Sequence, residues 1–402
     1  MGLSDIHVNA TAENAMGIAT FYGCVKFICN QIACLPYNVL RYEEGKGSVR
    51  QADHPLDYIL GTRFNKNMGP FVAKRALLLN CLVHGWAVAE IVRDEYNKPF
   101  EIIPYPTRQV YLLHHRETDS YFFNIPHLNK TLTQDNVIFI RDLSFDGATG
   151  ASVISWQEQT IEIDLTAKEF AHAYFKNGTF MGGIITNPAM ANVKTKEDAK
   201  RVKSDVVDAF KSAGGGYGFA VFAPGVNYIP IGINPADSKL LEIFAMSDKD
   251  IAKMWNLSLA MIGDTEVQSS WGAGVEAMYT ILTNSVLVPI AKQVEEEIDY
   301  KCFSRAEIKK GFFTRHNFRG LLRGDFKTQS EHLRGMVKDG IYMPDEAREH
   351  EDMAPLPNKT GARAYMNGTM TPLDLMDEVL KQKINGNTNS PAGIQRGEGD
   401  PE

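Results

Sequence analysis

Between Trp86 and Asp142 the chain stops reading as helix. "WAVAEIVRD", "FEIIPYP", "QVYLLH", "SYFFNI" and "NVIFIRD" are short runs rich in β-branched and aromatic residues, and the clusters "EYNKP", "HRETD" and "PHLNK" separate them as turns. Helical segments precede these strands, so residues 1–150 read as one α+β domain. In the first, residues 13–35, Phe21, Val25, Ile28, Ile32 and Leu35 share one stripe and Pro36 ends the helix. "YNVLRY" then reads as a strand followed by a polar turn. Residues 70–84 form a second apolar helix with Pro70 at its start and Gly85 in the stop position.

Downstream the helical period dominates. After the turn-rich "FDGATGAS" (145–152), the spacing predicts one helix of about 24 residues, with Ser152 as N-cap and Gly178 as its stop, roughly 36 Å long. Residues 195–212 give another helix with a narrow apolar stripe of Ala199, Val202, Val206 and Phe210. "SAGGGYG" leads into two expected strands, "FAVFA" and "NYIPIGI", joined at Pro224-Gly225. A helix over about 238–255 follows, then the irregular "GDTEVQSSWGAG" (263–274). A long helix over about 275–300 carries Pro289 inside it, where a missing N–H predicts a kink.

"LLRGDF" contains Arg323-Gly324-Asp325, the form of an adhesion tripeptide. The residues after it, "FKTQSEHLRGMVKDG", read as a helix with Asp325 as N-cap and Gly340 as stop, so the tripeptide reads as a helix start. A short helix begins at Pro344. Residues 358–402 are rich in Asn, Gly, Pro and Thr and read as mostly disordered. The exception is 371–384, where Thr371 caps, Pro372 takes the first position, and Leu375, Met376, Val379 and Leu380 make an apolar face fit to dock on a partner.

The search for chemistry returns little. The 402 residues carry a net charge of −7, the wrong sign for a chain that grips nucleic acid by neutralising phosphates. No secretory signal opens the chain, and no apolar run is long enough to span a membrane. Cys24, Cys29, Cys34, Cys81 and Cys302 form no CxxC pair and read as buried thiols. No P-loop, GxSxG or HExxH is present, so no catalytic, cofactor-binding or metal-ligating residue is assigned. His114-His115 read as a solvated turn, and the consecutive glutamates of "VEEEID" (294–299) splay around a helix. Lys196, Lys200 and Lys203 form a stripe at i, i+4, i+7, read as a solvated face or as a docking face for protein or nucleic acid.

The order of these blocks resembles the HK97-like family of tailed-bacteriophage portal proteins, from about residue 13 to about 375. "CVKFICNQIACLPYNVLR" resembles its opening helix and Leu-Pro exit, and "HPLDYIL" with "RFN" its next block. "LLLNCLVHGWAVAEIVRD" is similar to its helix–glycine–strand region, and "FIRDLSFDGATGAS" to its Asp-Gly…Gly-x-Ser junction. "AYFKNGTFMGGII", "IAKMWNLSLAMIGD" and "LVPIAKQVEEEI" follow in the same order, although Trp255 and Ser258 replace the usual Phe and Pro. "LLRGDFKTQSEHLRGMVKDGIYMPDEAREHEDMAPLP" matches best. Its departures are Met343 and Asp345 at positions usually Thr and Asn, which weaken the N-cap of the last helix.

The resemblance implies an α+β portal fold: an α/β wing (1–150), a stem helix (151–178), a small α/β clip (179–236), a second stem helix (237–262), a tunnel loop (263–274), a long kinked helix returning to the wing (275–320), a helical crown (321–357) and a mostly disordered tail (358–402). It implies a homo-oligomeric ring, commonly of twelve copies, at a capsid vertex of the virion, assembled in the host bacterial cytoplasm. Double-stranded DNA passes through that ring during packaging and ejection. The implied partners are the terminase large subunit, the major capsid or scaffold protein and a head–tail adaptor, with no membrane and no cofactor. The tunnel loop would present Asp264, Glu266, Gln268, Ser269, Ser270 and Trp271 to the channel, and Lys196, Lys200 and Lys203 would make a clip docking face. The rival reading is a nucleic-acid-processing enzyme or motor subunit of the packaging machinery.

Overall fold

The computed structural model describes residues 9–45, 47–115, 117–118, 120–176, 183–186, 227–230, 240–263, 273–318, 326–349 and 353–364, with a few isolated positions between them. The chain forms two compact units, Met1–Leu322 and Arg323–Glu402.

The first unit opens with α1 (Ala12–Met16) and α2 (Ala19–Cys34). The single helix expected over 13–35 is therefore interrupted, because Ile18 is extended (φ −79°, ψ 120°) and starts α2 afresh. Phe21, Val25, Ile28 and Ile32 are fully buried, as their stripe requires. Cys34 departs from expectation. Five-residue spacing carries it round to solvent, while Cys24 and Cys29 face the core. β1 (Tyr37–Glu43) follows, and the expected polar turn holds a short strand, β2 (Gly47–Arg50). α3 (Pro55–Gly61) precedes α4 (Pro70–His84), which ends at Gly85 in the left-handed region (φ 82°).

Two three-stranded antiparallel sheets come next. β3 (Trp86–Arg93) lies between β4 (Pro99–Tyr105) and β8 (Val137–Arg141). β5 (Tyr111–His115), β6 (Ser120–Ile125) and β7 (Lys130–Thr133) form a meander. β7 begins inside what the sequence marks as a turn. It buries only Leu132, so it shows no alternation to read. His114 and His115 lie on β5, with His114 stacked on Tyr121 (centroids 4.5 Å apart). β9 (Gly183–Thr186) pairs with β10 (Asn227–Pro230), which is the described part of the expected strand "NYIPIGI". "FAVFA" lies outside the described residues.

α5 (Val153–Trp156) starts at Ser152, whose Oγ accepts the Ile154 N–H, as the sequence predicts. The long helix is then broken at Gln157 (φ −116°, ψ 27°), just after Trp156, which meets Phe145 edge-on at the surface. α6 (Glu158–Lys176) packs on α7 (Leu240–Lys253). Between them the fully buried Asp164 accepts from Ser247 Oγ (2.8 Å) and pairs with Lys168 (2.7 Å), which satisfies a carboxylate that would otherwise be costly there. Last come α8 (Ala273–Leu282), a π-turn over Thr283–Leu287, α9 (Val288–Cys302), α10 (Arg305–Lys309) and β11 (Phe312–His316). β11 returns to pair with β1, completing the order β11-β1-β2.

In the second unit, α11 (Phe326–Lys338) begins immediately after Asp325, itself outside the described residues with Arg323 and Gly324. It stops at Gly340 (φ 72°), as expected. α12 (Pro344–Glu349) has Met343 at its cap, which offers no side-chain acceptor. Glu346 compensates by accepting the Met343 N–H (2.8 Å). Asp345 accepts the Leu356 N–H (2.8 Å), and Pro357–Ala362 forms a 3-10 turn, so order extends past the expected start of the disordered tail. The 371–384 segment lies outside the described residues.

Candidate functional site

All six residues assigned to the tunnel loop, Asp264, Glu266, Gln268, Ser269, Ser270 and Trp271, lie outside the described residues, but both ends of the loop are placed. On one side Gly263 (φ 108°) closes a 3-10 turn over Leu259–Ile262. On the other, α8 begins at Ala273. Of the lysine stripe, Lys200 is helical and exposed, and Lys196 and Lys203 lie outside the described residues.

The helix behind the loop is not simply kinked by Pro289. The preceding turn widens to π over Thr283–Leu287, and α9 restarts with Pro289 near its N-terminus, where a missing N–H costs nothing. Val286 and Leu287 are buried, so this turn sits within the core.

α9 itself has four faces. At about 100° per residue, Gln293, Glu297 and Lys301 fall together on one side and Glu295 and Asp299 on the opposite side. Val294, Ile298 and Cys302 lie between them in the core, and Lys292, Glu296 and Tyr300 face solvent. The first polar face covers the edge of β8: Gln293 Nε2 donates to the Arg141 carbonyl (2.7 Å), Glu297 accepts the Phe139 N–H (3.1 Å), and Lys301 Nζ donates to the Val137 carbonyl (2.8 Å). The second covers the edge of β11, with Glu295 accepting the His316 N–H (2.7 Å) and Asp299 the Thr314 N–H (2.7 Å). Residues 137, 139 and 141 turn these groups away from β3, and 314 and 316 turn theirs away from β1, as the registers require. One helix thus satisfies two sheet edges and joins the sheets through side chains.

The charges in this joint are balanced locally. Lys301 is buried but also meets Glu297 (2.6 Å), and Arg93 caps the end of α9 by donating to the Lys301 carbonyl (2.6 Å). Burial pushes Asp299 up to about 6 despite its two bonds from Thr314. His316 stacks flat on Tyr37 (3.9 Å) and donates from Nδ1 to the Glu295 carboxylate (2.9 Å); burial lowers its pKa all the same. The sequence shows that the "VEEEID" glutamates splay, but not what they splay toward. The i, i+4, i+8 series Gln293, Glu297, Lys301 was the available signal.

A second feature lies where the chain leaves the strands for α5. The loop after β8 crosses the end of α4 so closely that a Cβ on Gly150 would fall far inside contact distance of the Gly85 carbonyl oxygen. Ser152 Oγ donates to the Val83 carbonyl (2.6 Å) and the Asp142 N–H to the Gly85 carbonyl (2.7 Å), which ties the crossing down. Two motifs about 65 residues apart, the Gly85 stop and the Gly-x-Ser start, are halves of one contact. Beside it is a cavity of about 730 Å³ bordered by α4, Leu143, Trp156, Trp255 and Pro289.

These features are those of a structural joint. The family model described as "Phage portal protein" matches residues 19–352. The portal protein of Enterobacteria phage HK97 is 21% identical over 359 residues, covering 88% of this chain and 82% of that protein. A probable portal protein of Streptomyces phage phiC31 is 24% identical over 378 residues, covering 88% and 78%. Among solved structures, an HK97-family portal protein from Corynebacterium diphtheriae aligns with a TM-score of 0.59 at 14% identity, covering 79% of this chain and 99% of that one. A chain from the neck of a native gene transfer agent particle, computed with C12 symmetry, aligns at 0.53 and 15% identity, covering 85% and 92%. Matched along most of its length, the chain belongs to the phage portal protein family.

Proposed function

We propose that this chain assembles as a closed ring, of twelve copies, at one vertex of a capsid, and that double-stranded DNA passes through the ring's centre. The observation that carries the reading is the family match over 19–352, supported by the twelvefold neck among structural relatives. Residues 1–150 with the β11 return are assigned to the wing. α5–α6 and α7 form the stem, 179–236 the clip that meets the terminase large subunit and a head–tail adaptor, 263–274 the tunnel loop and 321–357 the crown.

The physical logic is that of a passive conduit. Twelve chains at −7 carry about −84 in total, so the ring repels a polyanion overall and lets it slide. Asp264, Glu266, Gln268, Ser269, Ser270 and Trp271 give the loop polar and acidic contacts and one aromatic, which suits sequence-independent steric tracking of a duplex. The clamp on α9 gives that loop a rigid base on both sheets. No catalytic step belongs to this reading; the packaging energy comes from a separate motor.

Deleting 264–273 tests it. The expected result is intact rings with DNA packaging or retention impaired. Loss of rings on deletion assigns the loop a structural role instead, and ATP hydrolysis or Mg²⁺-dependent DNA cleavage by the purified chain supports the enzyme reading.

A further inference from the structure

The turn after β8 is built to hold a phenylalanine out in water. The Asp146 carboxylate accepts from the Thr149 N–H (2.8 Å), Ser144 Oγ (2.7 Å), the Ala148 N–H (2.8 Å) and Thr149 Oγ1 (2.9 Å), bonds that hold its pKa well below the usual carboxylate range. Gly147 takes the left-handed conformation the turn needs (φ 67°), and its carbonyl accepts from Arg141. On this fixed turn Phe145 is 93% exposed. It lies edge-on to the half-exposed Trp156 (centroids 5.1 Å apart), and Leu143 beside it is 75% exposed. Leu143 and Trp156 rim the 730 Å³ cavity, and Phe145 stands beside Trp156, outside the lining.

A preordered, solvent-facing aromatic is the form of an interface anchor, because little conformational freedom is left to lose on binding. The local charges rule against a charged ligand. Arg141 is held by Glu297 and the Gly147 carbonyl, Asp146 is turned into its own loop, and Asp142 accepts the Leu143 N–H (2.8 Å). What remains is the exposed apolar trio Leu143, Phe145 and Trp156, which suits protein. Resting on the ring reading above, we infer that Leu143, Phe145 and Trp156 are covered by the adjacent copy of this chain. Contacts in a ring are heterologous, so every copy turns the same side of its wing–stem junction to a different surface of its neighbour. The turn and α5 lie at that junction, where the wing strands pass into the stem.

The test uses the full chain. Phe145→Ser should raise the concentration for half-assembly by about tenfold or more in mass photometry, with the monomer's melting curve unchanged, since an exposed ring adds little to the subunit core. Independently of any variant, hydroxyl-radical footprinting of the parent should show Leu143, Phe145 and Trp156 oxidised in the monomer fraction and protected in the ring. Rings that form normally with Phe145→Ser, or a trio that is equally oxidised in ring and monomer, overturn the proposal. A parent chain that never leaves the monomer overturns the ring reading itself, which is a separate outcome.

Discussion

Gly150 and Gly85 meet backbone to backbone: neither position has room for a Cβ, since one added at Gly85 would run into Ala151 and one at Gly150 into the Gly85 carbonyl. The contact fixes where β8 gives way to α5, so the angle at which α5 leaves the sheet depends on two hydrogen atoms in place of methyl groups. Gly150→Ala should cost about 3–5 kcal/mol, because the obstacle is backbone and cannot step aside. Gly147→Ala makes the control. It has a positive φ but open space, and should cost only about 1 kcal/mol. Urea midpoints of the two variants check the ranking.

Glu297→Ala should strip the β8 edge of its cover. The Phe139 N–H loses its acceptor and Lys301 its counter-charge in a buried site, a loss of about 3 kcal/mol. Hydrogen exchange provides a local readout: the Phe139 amide should lose protection while Thr314 and His316, held by the opposite face of α9, change less.

Asp299 gives a pH dependence with a definite sign. Its folded pKa of about 6 stands above the ordinary 3.8, so the folded state binds the proton more tightly. That contribution is fully present below about pH 4 and is lost as pH rises through about 6. Asp299 is partly open to solvent, so the effect should be no more than about 1–2 kcal/mol. Asp299→Asn should therefore gain on the parent between pH 4.5 and 7.5. An equal difference at both pH values contradicts this.

Glu346→Ala tests the repaired cap in the second unit. With the Met343 side chain unable to accept, Glu346 holds the start of α12 through the Met343 N–H at the cap, and its loss should fray that helix at a cost of about 1 kcal/mol. Local exchange at Met343 is the measurement.

Legibility in the sequence followed how local the cause was. Pro70 and Gly85 bracket α4 as written, Ser152 caps α5, and Gly340 stops α11, because each acts on the adjacent turn. Leu132 alone could not announce β7, and Pro289 predicted a kink without showing that a π-turn would absorb it. The α9 clamp was harder still: the side chains were visible, but their partners lie over 150 residues away on β8 or on a strand that forms only when β11 returns to β1.

The central claim is an annulus of identical chains, and electron microscopy of the purified protein with its mass in solution tests it most directly. The account predicts rings with a central hole wide enough for a duplex and a mass of about 540 kDa for twelve chains of 44.8 kDa. A chain that stays a single 44.8 kDa particle under conditions that support capsid assembly contradicts it.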